Sequence, residues 1–185
     1  QNTGSVPTPV LEGVNTLDLT WPADKEKTLY RARGAFHYED EPFGGEAFRD
    51  DFMLSKDNLQ RTPDIAFGAV GGKSSVDWMP YFNFQGKDDG LMFGIGWTGQ
   101  WHANIKSGTY SVRFQAGMEK IHTVLNPGET IRQPSILMIY WQSDSHLRGH
   151  NLLRQFIQHK LLPHNSQNKP FQAPACNLTW GGMVA

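Results

Sequence analysis

From Gly90 to Ala103 the chain reads Gly-Leu-Met-Phe-Gly-Ile-Gly-Trp-Thr-Gly-Gln-Trp-His-Ala, with a bulky side chain at every second position of its first half. Leu91, Phe93, Ile95 and Trp97 alternate with Met92, Gly94 and Gly96, the period of a β-strand with one bulky and one nearly bare face. A bare face invites close approach by another backbone. Thr98-Gly99 supplies a turn, and Gln100 to Ile105 is expected to return beside the first strand as a hairpin. Trp97 and Trp101 then flank the turn, either as a platform on which a sugar stacks or as packing at the end of a sandwich.

The neighbouring sequence extends the β pattern. Tyr110, Val112 and Phe114 alternate with Ser111, Arg113 and Gln115, a half-buried strand with a wet face, bounded by Lys106-Ser-Gly108 and Ala116-Gly117. Glu119 to Leu125 is expected to be another strand, closed by Asn126-Pro-Gly128, and Ser135 to Trp141, apolar on both faces, a central one. Tyr81 to Gln85 and Ile65 to Val70 are further strands. Turns about every eight to twelve residues between short strands point to a mostly-β, antiparallel sandwich.

A single helix follows. Asp144 is its expected N-cap; Leu152, Leu153, Phe156, Ile157 and Leu161 make an apolar stripe opposite Arg154, Gln155 and Gln158; Pro163 ends the run. His159 and Lys160 sit in the last turn, at the negative end of the helix dipole. Residues 165–174 are polar and Pro-containing, as in a linker. The chain then turns apolar again from Cys176 to Ala185, which reads as the start of a second domain or as a docked terminal strand.

A chain of 185 residues suits one domain, alone or with part of another, and buries roughly 70 % of its unfolded surface. Seventeen basic against eighteen acidic residues, without a basic cluster, argue against nucleic acid and anionic membranes as partners. The single Cys176 excludes an internal disulfide and a cysteine-based zinc site. The longest apolar run, Ile136 to Trp141, falls far short of the roughly 18 residues of a membrane span. The polar start carries no signal peptide, so a secreted or periplasmic location implies that one was removed, and otherwise the location is cytoplasmic. Asn177-Leu-Thr179 matches a glycosylation sequon, which matters only in a eukaryotic secretory pathway.

Several pieces, in order, resemble the N-terminal β-supersandwich domain of clan D, family 36-like (melibiase-type) α-galactosidases. They are Asp77-Trp-Met-Pro-Tyr-Phe-Asn-Phe-Gln85, the Ile-Gly-Trp-Thr-Gly-Gln-Trp core ending at Trp101, Ala116-Gly-Met-Glu119, Leu125-Asn-Pro-Gly-Glu-Thr-Ile-Arg132 and Tyr140-Trp-Gln-Ser-Asp144 leading into Gly149-His-Asn-Leu-Leu-Arg154. The resemblance implies a sandwich over residues 1–144, a linker helix and loop over 145–174, and the start of a (β/α)8 catalytic barrel over 175–185, where Asn177 to Gly182 looks like the first barrel strand. The barrel of the parent chain is then the partner of this domain. The family hydrolyses α-galactosides with retention, through two aspartates on later barrel strands; this reading assigns no catalytic residue here, no metal and no cofactor. An α-galactoside or related glycan is the implied ligand, and a homo-oligomer is compatible with it.

Within that reading Asp50, Asp51 and Trp78 reach over the sugar pocket, the aspartates binding hydroxyls and the indole covering an apolar sugar face. Asp50 and Asp51 belong to an acidic, Gly-rich stretch with Glu39, Glu41, Glu46 and interleaved Phe43, Phe48 and Phe52; its alternatives are an independent carboxylate pair or a solvated loop. His146 and His150, four apart on the helix, have metal-compatible spacing but no third ligand, and otherwise read as exposed helix histidines. Gly71-Gly-Lys-Ser-Ser75 fits neither a phosphate loop nor a nucleophile elbow. The rival to a barrel-bound domain is a stand-alone carbohydrate-binding or structural sandwich, with Trp78, Trp97 and Trp101 as its stacking platform or with Leu161, Trp180 and Met183 in an exposed apolar patch.

Overall fold

The computed structural model describes residues 1–34 and 54–169. Eleven strands are formed among them: β1 (Leu11–Glu12), β2 (Asn15–Pro22), β3 (Thr28–Arg33), β4 (Leu54–Asn58), β5 (Asp64–Gly68), β6 (Trp78–Gln85), β7 (Asp89–Gly96), β8 (Trp101–Ser107), β9 (Ser111–Met118), β10 (His122–Thr123) and β11 (Ser135–Gln142). They build a five-stranded sheet in the order β11-β7-β6-β3-β4, a four-stranded sheet in the order β2-β9-β8-β5, and a small β1-β10 pair. All pairings are antiparallel. The expected mostly-β sandwich with one C-terminal helix is the fold observed.

The inner faces meet through aromatic rings. Phe82 and Phe93 stack within the five-stranded sheet at 4.8 Å, and Phe114 of the other sheet lies 4.8 Å from Phe93 and 5.3 Å from Phe84. Phe67 stands edge-on to Phe82 and Trp101. Tilted and edge-on pairs suit the ring quadrupole, and each contributes about 0.5–1.5 kcal/mol beyond its buried area.

The expected hairpin at Thr98-Gly99 is not formed. β7 pairs with β6 and β11, β8 with β5 and β9, so both hydrogen-bonding edges of each strand are occupied by other partners. The turn instead carries the chain from one sheet to the other, and the faces of the two strands, not their edges, oppose one another across the core. Leu91, Phe93 and Ile95 share one buried cluster with Trp101, Ala103 and Ile105. The bare face of β7 is also filled differently: a Cβ on Gly90 would collide with the indole of Trp141 as well as with the Phe84 carbonyl oxygen.

β11 is an edge strand, not a central one. Its two apolar faces arise because Ile136 packs into the inter-sheet core while Leu137, Ile139 and Trp141 are covered on the outer face, together with Met92 and Leu153. Leu153 belongs to α1 (Leu147–Phe156), which continues as one π-turn over Ile157–Leu161. Asp144 does not cap this helix. The N-cap is His146, without a side-chain cap, and the approach is set by Ser143 Oγ, which accepts from the Ser145 amide at 3.1 Å, and by Ser145 Oγ, which accepts from the Leu147 amide at 3.4 Å. The carbonyl of Asp144 instead accepts from Gln85 Nε2 at 2.8 Å. The predicted apolar stripe is buried at Leu153, but Ile157 and Leu161 are exposed. The strand expected over 119–125 shrinks to His122–Thr123, because among the described residues its partner is the two-residue β1.

Candidate functional site

Trp78 opens β6 at the end of the sandwich where β3 also ends. The β3–β6 register slips between Arg31 and Arg33, where β6 carries Pro80, which has no N–H for the ladder. Arg33 is thereby set opposite Trp78, and the guanidinium carbons of Arg31 and Arg33 each lie 4.0 Å from the centre of its ring. Phe67 meets the same indole edge-on at 5.9 Å. The two arginines are themselves held: Arg31 Nε donates to Asp57 at 2.8 Å and Arg33 Nη1 to Asp77 at 2.6 Å. Trp78 is half-buried, with its π surface engaged by cations.

The approach to Trp78 is braced from beneath. Asp77 sits in the left-handed region at φ 73°, and its carbonyl accepts from the Gly34 amide at 3.1 Å. Gly34 lies so close to the Ser75 carbonyl that no side chain fits there. Trp101 is fully buried and its Nε1 donates to the Ser74 carbonyl at 2.7 Å, so it supports the loop that carries Asp77 and Trp78 and offers no face to a ligand. Trp97 is half-buried against the core, with its Nε1 over Gly99. Trp78, Trp97 and Trp101 therefore do not make a three-indole platform. The described chain leaves at Gly34 and resumes at Leu54, opposite Ala32, at this same end. Asp50 and Asp51, with the rest of the acidic stretch, lie outside the described residues, as do Cys176, Trp180 and Met183.

The sequence does not mark Arg31 and Arg33, or the carboxylate of Asp77, as parts of a site. The Arg-x-Arg-Gly spacing of residues 31–34 is the one signal that places two cations on the same strand face. Beside this group a depression of about 510 Å3 is lined by Phe67, Asp77, His102 and Glu119. Its histidine is occupied: Nδ1 contacts the Met118 carbonyl at 3.1 Å and Nε2 the Asn15 carboxamide oxygen at 2.9 Å.

His146 and His150 have another role than an exposed pair. His146 stacks on Tyr30 at 4.0 Å and 11°, and His150 meets both rings edge-on. The His150 Nε2 is buried and has no partner among the described residues. Burial holds both imidazoles below the usual histidine range, helped by Lys56 for His146 and by His146 for His150. Among the described residues no three His, Cys, Asp or Glu side chains come together as metal ligands would, and no helix is long and apolar enough to cross a membrane.

The same arrangement of strands occurs in solved α-galactosidases. The α-galactosidase from Lactobacillus brevis matches 85 % of this chain at TM-score 0.61 and 17 % identity. A GH36 α-galactosidase AgaA variant from Geobacillus stearothermophilus, solved with stachyose, matches 82 % at 0.59 and 17 %. The galactosidase domain of the α-galactosidase-sucrose kinase AgaSK matches 68 % at 0.52 and 18 %. At such identities the likeness is one of fold. The chain spans about a fifth of the length of these structures. No family model matches the sequence, and no curated protein does.

Proposed function

We propose that this chain is the N-terminal, non-catalytic domain of an α-galactosidase-like glycoside hydrolase, packing on a (β/α)8 barrel and shaping one wall of its sugar pocket. The observation that carries the reading is the shared fold with one fifth of several α-galactosidases, joined to the order of the sequence pieces from Asp77 to Arg154. In this reading residues 1–144 are the sandwich, 145–174 the connection and 175–185 the first barrel strand. The parent hydrolyses terminal α-linked galactose with retention, its two carboxyls supplied by the barrel.

Trp78 is the described residue we place at the pocket wall. Its clamp by Arg31 and Arg33 fixes the ring before a ligand arrives, which reduces the ordering cost of binding. Asp50 and Asp51 join it in the proposal because the described residues that flank them, Gly34 and Leu54, lie at the same end of the sandwich as Trp78. The test compares galactose release from raffinose by the product of the whole reading frame and by the 185-residue chain. Release by the former with background from the latter supports the reading; release by both, or by neither, overturns it.

A further inference from the structure

At the end of the sandwich remote from Trp78 the two sheets leave between them a depression of about 520 Å3, within the roughly 300–1,000 Å3 of small-molecule sites. The five-stranded sheet contributes the β6–β7 turn, with Asp88 and Asp89, and the end of β11, with Tyr140 and Gln142. The four-stranded sheet contributes Asp24, just after β2, and Tyr110 from the β8–β9 turn. Main-chain bonds fix these walls: the Ala23 amide donates to the Tyr110 carbonyl at 3.0 Å, Gly86 to Asp89 at 2.8 Å and Ser143 to Asp88 at 3.0 Å.

Two independent features mark the cleft. Every other Phe, Trp and Tyr among the described residues is buried or half-buried, whereas Tyr110 is 68 % and Tyr140 48 % exposed, and both line this depression. Tyr140 is propped by Trp21 at 5.8 Å, so its ring is braced from the side. The second feature is unspent acceptor capacity. Asp18, Asp57, Asp64 and Asp77 each have an Arg or Lys within 4.0 Å; Asp24, Asp88 and Asp89 have none among the described residues. Burial, and then the charges of Asp88 and Asp24, hold the Asp89 carboxyl above its ordinary range.

We propose that this cleft binds a neutral oligosaccharide, with the apolar faces of its pyranose rings on Tyr110 and Tyr140 and its hydroxyls donating to Asp24, Asp88, Asp89 and Gln142. Sugar rings combine a C–H face, which suits an exposed phenol ring, with hydroxyl donors, which suit acceptor-only carboxylates. Lys87 in the same wall donates to ring or hydroxyl oxygens and offsets part of the negative charge. The site is a second one, at the opposite end from Trp78, and it serves to hold the chain on a glycan. It stands whether or not a barrel accompanies the sandwich.

The test is titration of the 185-residue chain with raffinose, maltotetraose and cellotetraose, read by tryptophan fluorescence, since Trp21 adjoins Tyr140, and by calorimetry. Saturable binding of at least one sugar is expected, weakened at least about threefold by Tyr110→Ala or Tyr140→Ala and reduced by Asp88→Asn. Trp78→Ala is expected to leave it unchanged, which separates this site from the proposed pocket wall. The proposal is overturned if none of the three sugars saturates a site, if binding follows Trp78 and not the tyrosines, or if calcium chloride alone titrates the cleft in a manner abolished by Asp88→Asn. Circular dichroism of each variant establishes that a loss of binding is not a loss of fold.

Discussion

Asn83 and Trp141 are joined beneath α1: the indole Nε1 donates to the Asn83 carboxamide oxygen at 2.9 Å, and Asn83 Nδ2 donates onward to the His146 carbonyl at 2.9 Å. Asn83 is fully buried, so these bonds have no competition from water. One polar side chain in an otherwise aromatic strand thus fixes where the helix lands on the sheet. Asn83→Leu strands the indole N–H, while the His146 carbonyl keeps the Gly149 amide at 3.1 Å, and the change is expected to cost about 1–3 kcal/mol in urea unfolding. A cost below about 0.5 kcal/mol would show that the helix position is set by packing alone.

Gly149 tests the same contact from the helix side. A Cβ there would lie 2.5 Å from Trp141 Nε1 and 2.8 Å from Asn83 Oδ1. On helix propensity alone Gly149→Ala should stabilise the chain by about 1 kcal/mol. Because neither buried partner can retreat, we expect the opposite sign, a lowered Tm, from differential scanning calorimetry. A raised Tm would mean that the helix rides loosely on the sheet.

The histidines make this docking sensitive to acid. In the folded state His146 and His150 are held below the ordinary value of about 6.5, so between that value and their folded pKa values the unfolded chain binds more protons. Stability therefore rises with pH across that window and falls as the medium is acidified below about 6.5. Groups facing the pair include Lys56 of β4 and the Tyr30 ring of β3, and Lys56 adds to the cost of protonation. Urea midpoints measured from pH 7.5 to 5 should decline, and His150→Gln should flatten the slope. An unchanged slope would dismiss the histidines as its source.

Two tryptophans should separate by function. Trp101→Phe removes the bond to the Ser74 carbonyl and leaves a void in the core, with an expected loss of about 2–4 kcal/mol. Trp78→Ala costs about 1 kcal/mol of stability through its lost arginine contacts, but if the proposed α-galactosidase reading holds it should raise the KM of the longer protein for raffinose about three- to tenfold with kcat changed less. Equal effects of Trp78→Ala on both constants would remove it from ground-state sugar binding.

Much of the architecture is legible because burial imposes a period. Val112 and Phe114 are buried while Arg113 and Gln115 both reach Asp18 on the wet face, as their alternation implies. Periodicity names a face and not a partner, however, which is why β7 and β8 read as a hairpin while lying in different sheets. β11 reads as central because α1, the element that follows it directly, folds back and covers its outer face as a neighbouring sheet layer would. The arginine clamp on Trp78 is hidden because the β3–β6 pairing joins residues distant in sequence, from Arg33 with Trp78 to Thr28 with Gln85. The role of Asn83 is equally hard to read, because its partners are the Trp141 indole and the backbone at the start of α1. Tyr110 alternates with Val112 and Phe114, yet it lies in the turn before β9 and is open to solvent.

The passage of the chain from one sheet to the other at Thr98-Gly99 has a consequence for biosynthesis. β2 finds its partner only when Ser111 to Gly117 have been made, and β7 lacks its outer neighbour until Ser135 to Gln142 emerge. At about 5–20 residues per second, β2 waits on the order of ten seconds at the ribosome with an unpaired edge. Neither sheet can close while the nascent chain is short, so in the cell this domain depends on protection of open strand edges during translation more than a sandwich assembled from successive hairpins would.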